Sequence, residues 1–443
     1  LKTGETIPIM GGSATQNMGV INLMYEIVDL LPAPFERRPV LATDQSGEVI
    51  SVMCDVNKPL SAQVFKTVAD PFVGKLNMVR IFTGTLKSGM TVYNSTTGEK
   101  ERINGLYIMK GKKQEPVDEL VAGDIGAVNK LNNTNTMDTL CDESFKIKFY
   151  DIPFPAPVLT MKISALKSGE EDKVFQGLNR LAEEDLTFKV EKDKETGEMV
   201  IRGQGETQLD VLCKKLKAKF GCEAVLDEPK VAFKETITGV AEAEGKHKKQ
   251  SGGAGQFGVV NIRFESGASD GVFEFVDQTV GGSVPKQFIP AVEKGLREAI
   301  QKGVLAGYPV VNLKCTLFDG KYHPVDSKEV AFVQASKLAY EDGLSRAKPV
   351  ILEPVYSYKI TVPDNYTGDI LGDMNKRRGR ILGMELVDGL QEISAEAPLI
   401  EMLKYATDLR SMTQGRGKFS SEFVGYEEVP FSAQEKIIAD AKK

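Results

Sequence analysis

Residues 158–163 read Val-Leu-Thr-Met-Lys-Ile, an extended run that opens the pattern on which the fold turns. Ser168 follows, with Glu171 three residues on, a capping-box spacing that predicts a helix start. That helix sets Val174, Phe175, Leu178, Leu181 and Ala182 on one face. Leu186, Phe188 and Val190 alternate as a strand does, and a polar turn ending at Gly197 leads to Met199 and Ile201. A second helix carries Leu209, Leu212, Leu216 and Phe220 and stops at Gly221, the residue type that tolerates the left-handed turn past a helix end. Cys222, Ala224 and Leu226 close the unit. The order over 155–229 is βαββαβ, the ferredoxin-like split motif.

The same order recurs over 351–443. Tyr356, Tyr358, Ile360 and Val362 alternate before a helix ending at Gly379. Segments 381–386 and 390–395 flank Asp388-Gly389, a hairpin signal. Pro398 begins a helix carrying Leu399, Met402, Leu403, Ala406 and Leu409, and a last strand ends at Val424. A final short helix is expected from Ser432, with Glu435 in the box position.

Between the two units, residues 230–350 read as an α+β arm. Helices are expected near 290–302 and 327–342, with a long strand at 310–318. Loop 319–326 ends in Asp326, read as a helix cap with Glu329 in the box position. On the other side, 37–150 is all strand and turn, with alternation at 79–82 and 90–93 and glycine turns at Gly84, Gly89 and Gly98, which predicts a small antiparallel barrel. In 1–36, residues 7–10 look like the end of a buried strand. A helix with Val20, Ile21, Leu23, Met24, Ile27, Val28 and Leu31 follows, stopped by Pro32 and Pro34. One strand and one helix cannot bury themselves, so 1–36 reads as the tail of a further domain. The fold class is multidomain α+β: a barrel, two ferredoxin-like domains and an intervening arm.

At 443 residues, 41% hydrophobic and 27% charged, the chain has the composition of a multidomain globular protein. No apolar run approaches the roughly 18 residues of a membrane span, so no membrane partner is expected. Cys54, Cys141, Cys213, Cys222 and Cys315 are odd in number and never in C-x-x-C spacing, which argues for a reducing, cytoplasmic setting and against a zinc site. Only His247 and His323 are present, too few for a histidine-rich metal centre.

Against a net charge of -6, residues 246–249 form a basic run, Lys246, His247, Lys248 and Lys249. It feeds a loop of Gln250, Ser251, Gly252, Gly253, Ala254, Gly255 and Gln256. Gly253, Gly255 and Gly258 match G-x-G-x-x-G, but the dinucleotide fingerprint needs a buried strand before and a helix after. Here charged residues precede it and 259–264 alternate like a strand. His323, Asp326 and Ser327 are triad residue types, yet so close in one loop they read as a turn and a cap. Walker A is absent, since Gly74-Lys75-Leu76 and Gly417-Lys418-Phe419 fail its spacing. Nucleic-acid binding fits better. Lys321 and His323 sit in another loop, and a third cluster, Lys376, Arg377, Arg378 and Arg380, sits at a helix end, where cations also complement the dipole. Poor aromatic interleaving favours shape and phosphate recognition of folded RNA over stacking on single strands.

The ordered motifs resemble the translational GTPases of the elongation factor G type. Gly12-Ser13-Ala14 with Asn17-Met18-Gly19-Val20 is similar to the family's guanine-contacting element and last GTPase-domain helix. Segments 70–76, 80–89 and 122–125 resemble the second-domain barrel. Gly203-Gln204-Gly205-Glu206 with Leu209-Asp210 resembles the third domain. Gly307-Tyr308-Pro309-Val310-Val311 and Tyr322-His323 with Val325-Asp326-Ser327 resemble the fourth. Gly379 within 376–380, and Tyr405-Ala406-Thr407 through Gly415-Arg416-Gly417, resemble the fifth.

The resemblance implies that the arm reaches the small-subunit decoding centre of the ribosome, contacting tRNA and mRNA. The fifth domain would face the large-subunit factor-binding region. Ser13 and Ala14 would be the remnant guanine contact. GTP and Mg2+ would belong to the full-length protein, with none expected in this chain. A monomer promoting translocation is implied, its parent a GTPase but this chain unable to hydrolyse GTP alone. A ribosome-recycling or ribosomal-protection paralogue, and a stand-alone RNA-binding protein, are the alternatives. Three positions depart from the family pattern: Ala254 for its usual arginine, Gln208 for histidine and Met137 for glycine, which suggests a divergent paralogue.

Overall fold

The computed structural model describes residues 5–70, 74–111, 113–249 and 255–441. Loop residues Gln250, Ser251, Gly252, Gly253 and Ala254, and positions 71–73 of the barrel motif, lie outside the described residues. The chain divides into two units, Leu1–Pro157 with Ile163–Glu191 and Ile201–Leu226, and Val158–Lys162 with Lys192–Val200 and Asp227–Lys443.

In the first unit the helix Val20–Leu30 forms as its periodicity predicts, with none of its residues buried. The strand expected at 7–10 does not form, and Ile7 and Ile9 are exposed. An extended segment becomes a strand only when a neighbour takes up its amides and carbonyls, and among the described residues 7–10 have none. The barrel region is an antiparallel sheet in the order Glu99–Arg102, Thr91–Asn94, Thr139–Cys141, Ser61–Asp70, Gly74–Thr83, Ile125–Asn129, Leu106–Lys110, Lys113–Val117. Ala62, Val64, Val79, Ile81, Val92 and Leu140 form its apolar side. Loop 131–138 is tied down by the Glu101 carboxylate, which accepts from the Asn132 and Asn133 amides and the Thr134 hydroxyl.

The strands Leu159–Ala165, Lys189–Lys192, Met199–Gly203 and Ala224–Asp227 make a four-stranded sheet in which the first strand lies between the third and the fourth, the ferredoxin-like order read from the sequence. The helix Glu171–Glu184 buries Val174, Leu178 and Leu181, whereas Phe175 stays partly exposed. The Ser168 capping box does not form. Gly169, at φ 87°, turns the chain so that Glu170 becomes the cap, and Glu171 and Asp172 supply negative charge in the first turn. The second helix, Glu206–Phe220, ends as read: Gly221 is left-handed at φ 65° and its amide donates to Lys217 O at 3.0 Å.

In the second unit the arm is a sheet in the order Ala241–Lys249, Gln256–Ser266, Leu313–Lys321, Phe273–Asp277, the last two parallel. The helices Ile289–Ala299 and Glu329–Arg346 close its core through Val292, Leu296, Phe332, Ala335 and Ala339. The strand expected at 310–318 is displaced to Leu313–Lys321. Asn312 at φ 56° breaks it from Val310, which bridges Glu235 instead. The fifth domain repeats the ferredoxin-like order, with Pro349–Val362 between Leu390–Pro398 and Lys418–Glu428, and Arg380–Val387 outside Leu390–Pro398. Asp388 at φ 51° and Gly389 at φ 78° form the expected two-residue turn. The helix read from Pro398 splits into Leu399–Met402 and Tyr405–Met412. The last helix, Phe431–Ala441, starts before Ser432, so that box does not form either. Gln434 anchors it, donating to Val429 O at 2.8 Å and accepting from the Ile351 amide at 3.4 Å.

Candidate nucleic-acid interface

The hairpin Ala241–Lys249 with Gln256–Ser266 ends in the basic run because of its register. Lys246 lies opposite Val259, which in turn faces Lys321 on the third strand. Lys248 pairs with Phe257 and Lys249 with Gln256. Alternation sends Glu242, Glu244, Lys246 and Lys248 outward while Ala241, Ala243 and Gly245 go inward, so the outward row changes from acidic to basic toward the tip. The helix Glu329–Arg346 sits so close behind that a Cβ on Gly245 would lie 1.8 Å from Ala335 O.

The His323 loop is stitched to the end of this hairpin. The His323 amide donates to Ser327 Oγ at 2.8 Å, and that hydroxyl donates to Phe257 O at 2.8 Å. The Phe257 amide donates to Asp326 O at 3.0 Å, and the Gly255 amide to Asp326 Oδ1 at 3.0 Å. Asp326, read as a helix cap, therefore joins the two loops, while Lys328 takes the cap position of the helix. His323 Nδ1 lies 3.3 and 3.2 Å from the Val325 and Asp326 amides and 3.3 Å from Asp326 Oδ2, and all three contacts are on that side of the ring. Its ring meets Phe257 edge-on at 6.4 Å, and His247 Nε2 lies 3.0 Å from Gln256 Oε1. The Ser327 hydroxyl donates to the Phe257 carbonyl rather than to a histidine nitrogen.

A cavity of about 190 Å³ opens among Lys248, Lys249, Gly255, Gln256, Phe257, His323 and Asp326, large enough for a phosphate group. Among the described residues no carboxylate pairs with Lys246, Lys248, Lys249 or Lys321, all exposed. Phe257 and Ser327 were not among the expected contacts; their role comes from cross-loop hydrogen bonds that no local pattern encodes.

The third cluster is differently disposed. Arg377 donates to Asp373 at 2.7 Å, Asp408 at 2.6 Å and Glu401 O at 2.7 Å, and lies over the Tyr405 ring. Burial opposes its charge, but Asp373 and Asp408 outweigh that and hold its pKa above the usual arginine value. Arg378 makes a two-pronged contact with the buried Glu353 at 2.5 and 2.9 Å and reaches Glu401 at 3.0 Å. Arg380 pairs with Glu396 and with Glu427. Of the four, Lys376 is the one that is exposed with no carboxylate partner among the described residues. Ser13 and Ala14 lie in a tight turn, the Ser13 and Met18 amides exchanging bonds with each other's carbonyls and Ser13 Oγ accepting from the Gln16 amide at 3.3 Å. Among the described residues no group of side chains is arranged to hold a metal ion.

Family models for elongation factor G match in sequence order: domain 2 over 59–143, domain III over 154–228, domain IV over 229–348 and the C-terminus over 350–437. The chain belongs to the elongation factor G family. A crystal structure of a Thermus thermophilus protein is similar at 35% identity and a TM-score of 0.75, covering 97% of this chain and 62% of that one. The chain thus spans less than two thirds of that protein's length.

Gln208 and Met137, two residues read from the sequence as departures, each make specific contacts. Gln208 donates to Asp185 Oδ2 at 3.0 Å and Thr187 Oγ1 at 2.6 Å, and accepts from the Gln204 amide at 2.7 Å, joining strand, turn and helix. Met137 occupies its glycine-type position at φ 85°, its amide donating to Val64 O and its sulfur accepting from the Ile152 amide at 3.0 Å.

Proposed function

We propose that this chain is the ribosome-binding portion of a GTP-dependent elongation factor G-type translocase. It would contact tRNA and mRNA at the decoding centre through the tip of its fourth domain. The supporting observation is the tip itself, with Lys246, Lys248, Lys249 and Lys321 exposed and His323 held by the Asp326 and Ser327 stitches. Phosphates would be met by the lysines and the cavity between the loops. The His323 Nε2 edge offers a directional hydrogen-bonding group, for which a 2′-hydroxyl or base edge is a fitting partner. Binding would bias movement by filling space behind the departing tRNA. The GTP chemistry belongs to a domain whose Walker A motif this sequence does not contain.

The test is toeprinting of mRNA on pre-translocation ribosomes, with the chain joined to its GTPase domain. His323→Ala with Lys249→Ala should slow movement at least about tenfold while ribosome-stimulated GTP hydrolysis stays near wild type. Hydrolysis without any mRNA movement by the wild-type protein, together with subunit splitting, would replace the translocase reading with a recycling one.

A further inference from the structure

A cavity of about 740 Å³ lies in the first unit, between the proline-rich segment 32–39 and the barrel region. Three arginines line it, Arg37, Arg38 and Arg80. Among the described residues no carboxylate pairs with any of them. The one acid on the described wall, Glu36, turns an oxygen back to the Ala33 amide at 2.8 Å.

The segment is held on the barrel rather than draped over it. Pro32, Pro34 and Pro39 each fix a backbone angle, and Pro34 begins a short 3₁₀ turn, Pro34–Glu36. Gly123, at φ 100°, has Pro34 so close that a Cβ there would lie 3.0 Å from the proline ring. The Gly123 amide donates to Ile81 O at 2.9 Å, which ties the contact to the strand Gly74–Thr83. Arg80 stands on that strand two residues before Phe82, so both lie on one side. Its guanidinium carbon is 5.4 Å from the Phe82 ring centroid, and that ring packs on Phe149 at 4.5 Å. Arg80 Nε is shut off from solvent and has no hydrogen-bond partner. A guanidinium that has lost water without gaining an acceptor holds an anion more strongly than an exposed one does.

The volume falls in the range of small-molecule sites and exceeds what a single phosphate fills. Val52, Ile81 and Phe82 make part of the wall apolar. Guanidinium forks match phosphate oxygens two at a time, and three of them exceed the needs of one carboxylate. We propose that this cavity binds a small organic phosphate of nucleoside diphosphate size, its phosphates on Arg37, Arg38 and Arg80 and its body against Val52 and the proline segment. The inference does not depend on the ribosome-binding reading above.

The experiment is isothermal titration calorimetry of the 443-residue chain with ADP, GDP, pyrophosphate and inorganic phosphate, without divalent metal. ADP or GDP should bind one to one and at least about tenfold more tightly than inorganic phosphate. Arg80→Gln, and separately Arg37→Gln with Arg38→Gln, should weaken that binding at least about tenfold, while Arg80→Lys keeps part of it. Arg37 and Arg38 are exposed, so their variant tests charge without disturbing the core. Cys54, half-buried on the cavity wall, supplies the location. Saturating ligand should slow its alkylation by iodoacetamide and leave that of Cys213 unchanged, read by mass spectrometry. No binding, or equally weak binding of all the anions as an adventitious ion only, would overturn the inference. So would full-strength binding in the arginine variants, or alkylation of Cys54 at its free rate with ligand bound. Loss of binding in Lys248→Gln with Lys249→Gln alone would move the phosphate to the tip cavity and overturn it too.

Discussion

Replacing Arg378 with methionine should destabilise the fifth domain far more than a surface substitution. Glu353 is 3% exposed, and its two oxygens accept from Arg378 at 2.5 and 2.9 Å. Removing one member of a buried pair strands the other, at about 3–5 kcal/mol. Arg378 is itself 29% exposed, so water reaches part of the pair and the expectation falls to about 2–3 kcal/mol. For a domain of this size that corresponds to roughly 10–20 °C in the midpoint of its transition. The chain has no tryptophan, so urea and thermal unfolding would be followed by far-UV circular dichroism and tyrosine fluorescence. The double variant Arg378→Met with Glu353→Leu should return to within about 1 kcal/mol of wild type, because neither charge is then buried. A single variant costing under about 0.5 kcal/mol would refute the claim that Arg378 is committed to the fold. So would a double variant less stable than the single.

Gly245→Ala should unfold or severely loosen the arm, by about 3 kcal/mol or more, since its Cβ would meet Ala335 O at 1.8 Å and Ala339 N at 2.7 Å, both backbone; thermal melting reads it. Met137→Gly should lie within about 1 kcal/mol of wild type, because relief at φ 85° offsets the lost sulfur contact. Met137→Val, a β-branched residue at the same φ, should cost about 2 kcal/mol, and equal stability of the two variants would refute the strain argument. Burial would raise the Asp185 pKa, but hydrogen bonds from Thr187 and Gln208 outweigh it and hold it below the ordinary value of 3.8. A depressed native pKa means its stabilisation is present above the unfolded value and lost as pH falls through the native one. Acid unfolding below about pH 4 should therefore be shallower in Asp185→Asn than in wild type, measured by circular dichroism against pH.

Both βαββαβ orders, the all-strand region and the arm between them could be read from the chain because periodicity and turn residues are local signals. Gly221 and Asp388-Gly389 fell where the pattern put them, since a left-handed backbone demands particular residue types. The capping boxes at Ser168 and Ser432 were misread because the same spacing arises in turns, and only backbone geometry tells which residue leaves the helix first. At the tip, the sequence showed that Lys246, Lys248, Lys249 and His323 are concentrated in two loops. It did not show that Asp326 and Ser327 bind those loops together, as those hydrogen bonds span about seventy positions of chain.

Charge itself is legible in a sequence; whether it is spent is not. Arg377, Arg378 and Arg380 look as basic on paper as Arg410, Arg416 and Lys418. Glu353, Asp408, Glu396 and Glu427 come from distant segments, and folding brings them to the first group and leaves the second exposed. The sequence by itself determined the order of elements, the family pattern and where cations are concentrated, because each depends on residues near one another in the chain. Tertiary structure alone decided which cations remain available to a partner, because Coulomb attraction acts across space rather than along the chain.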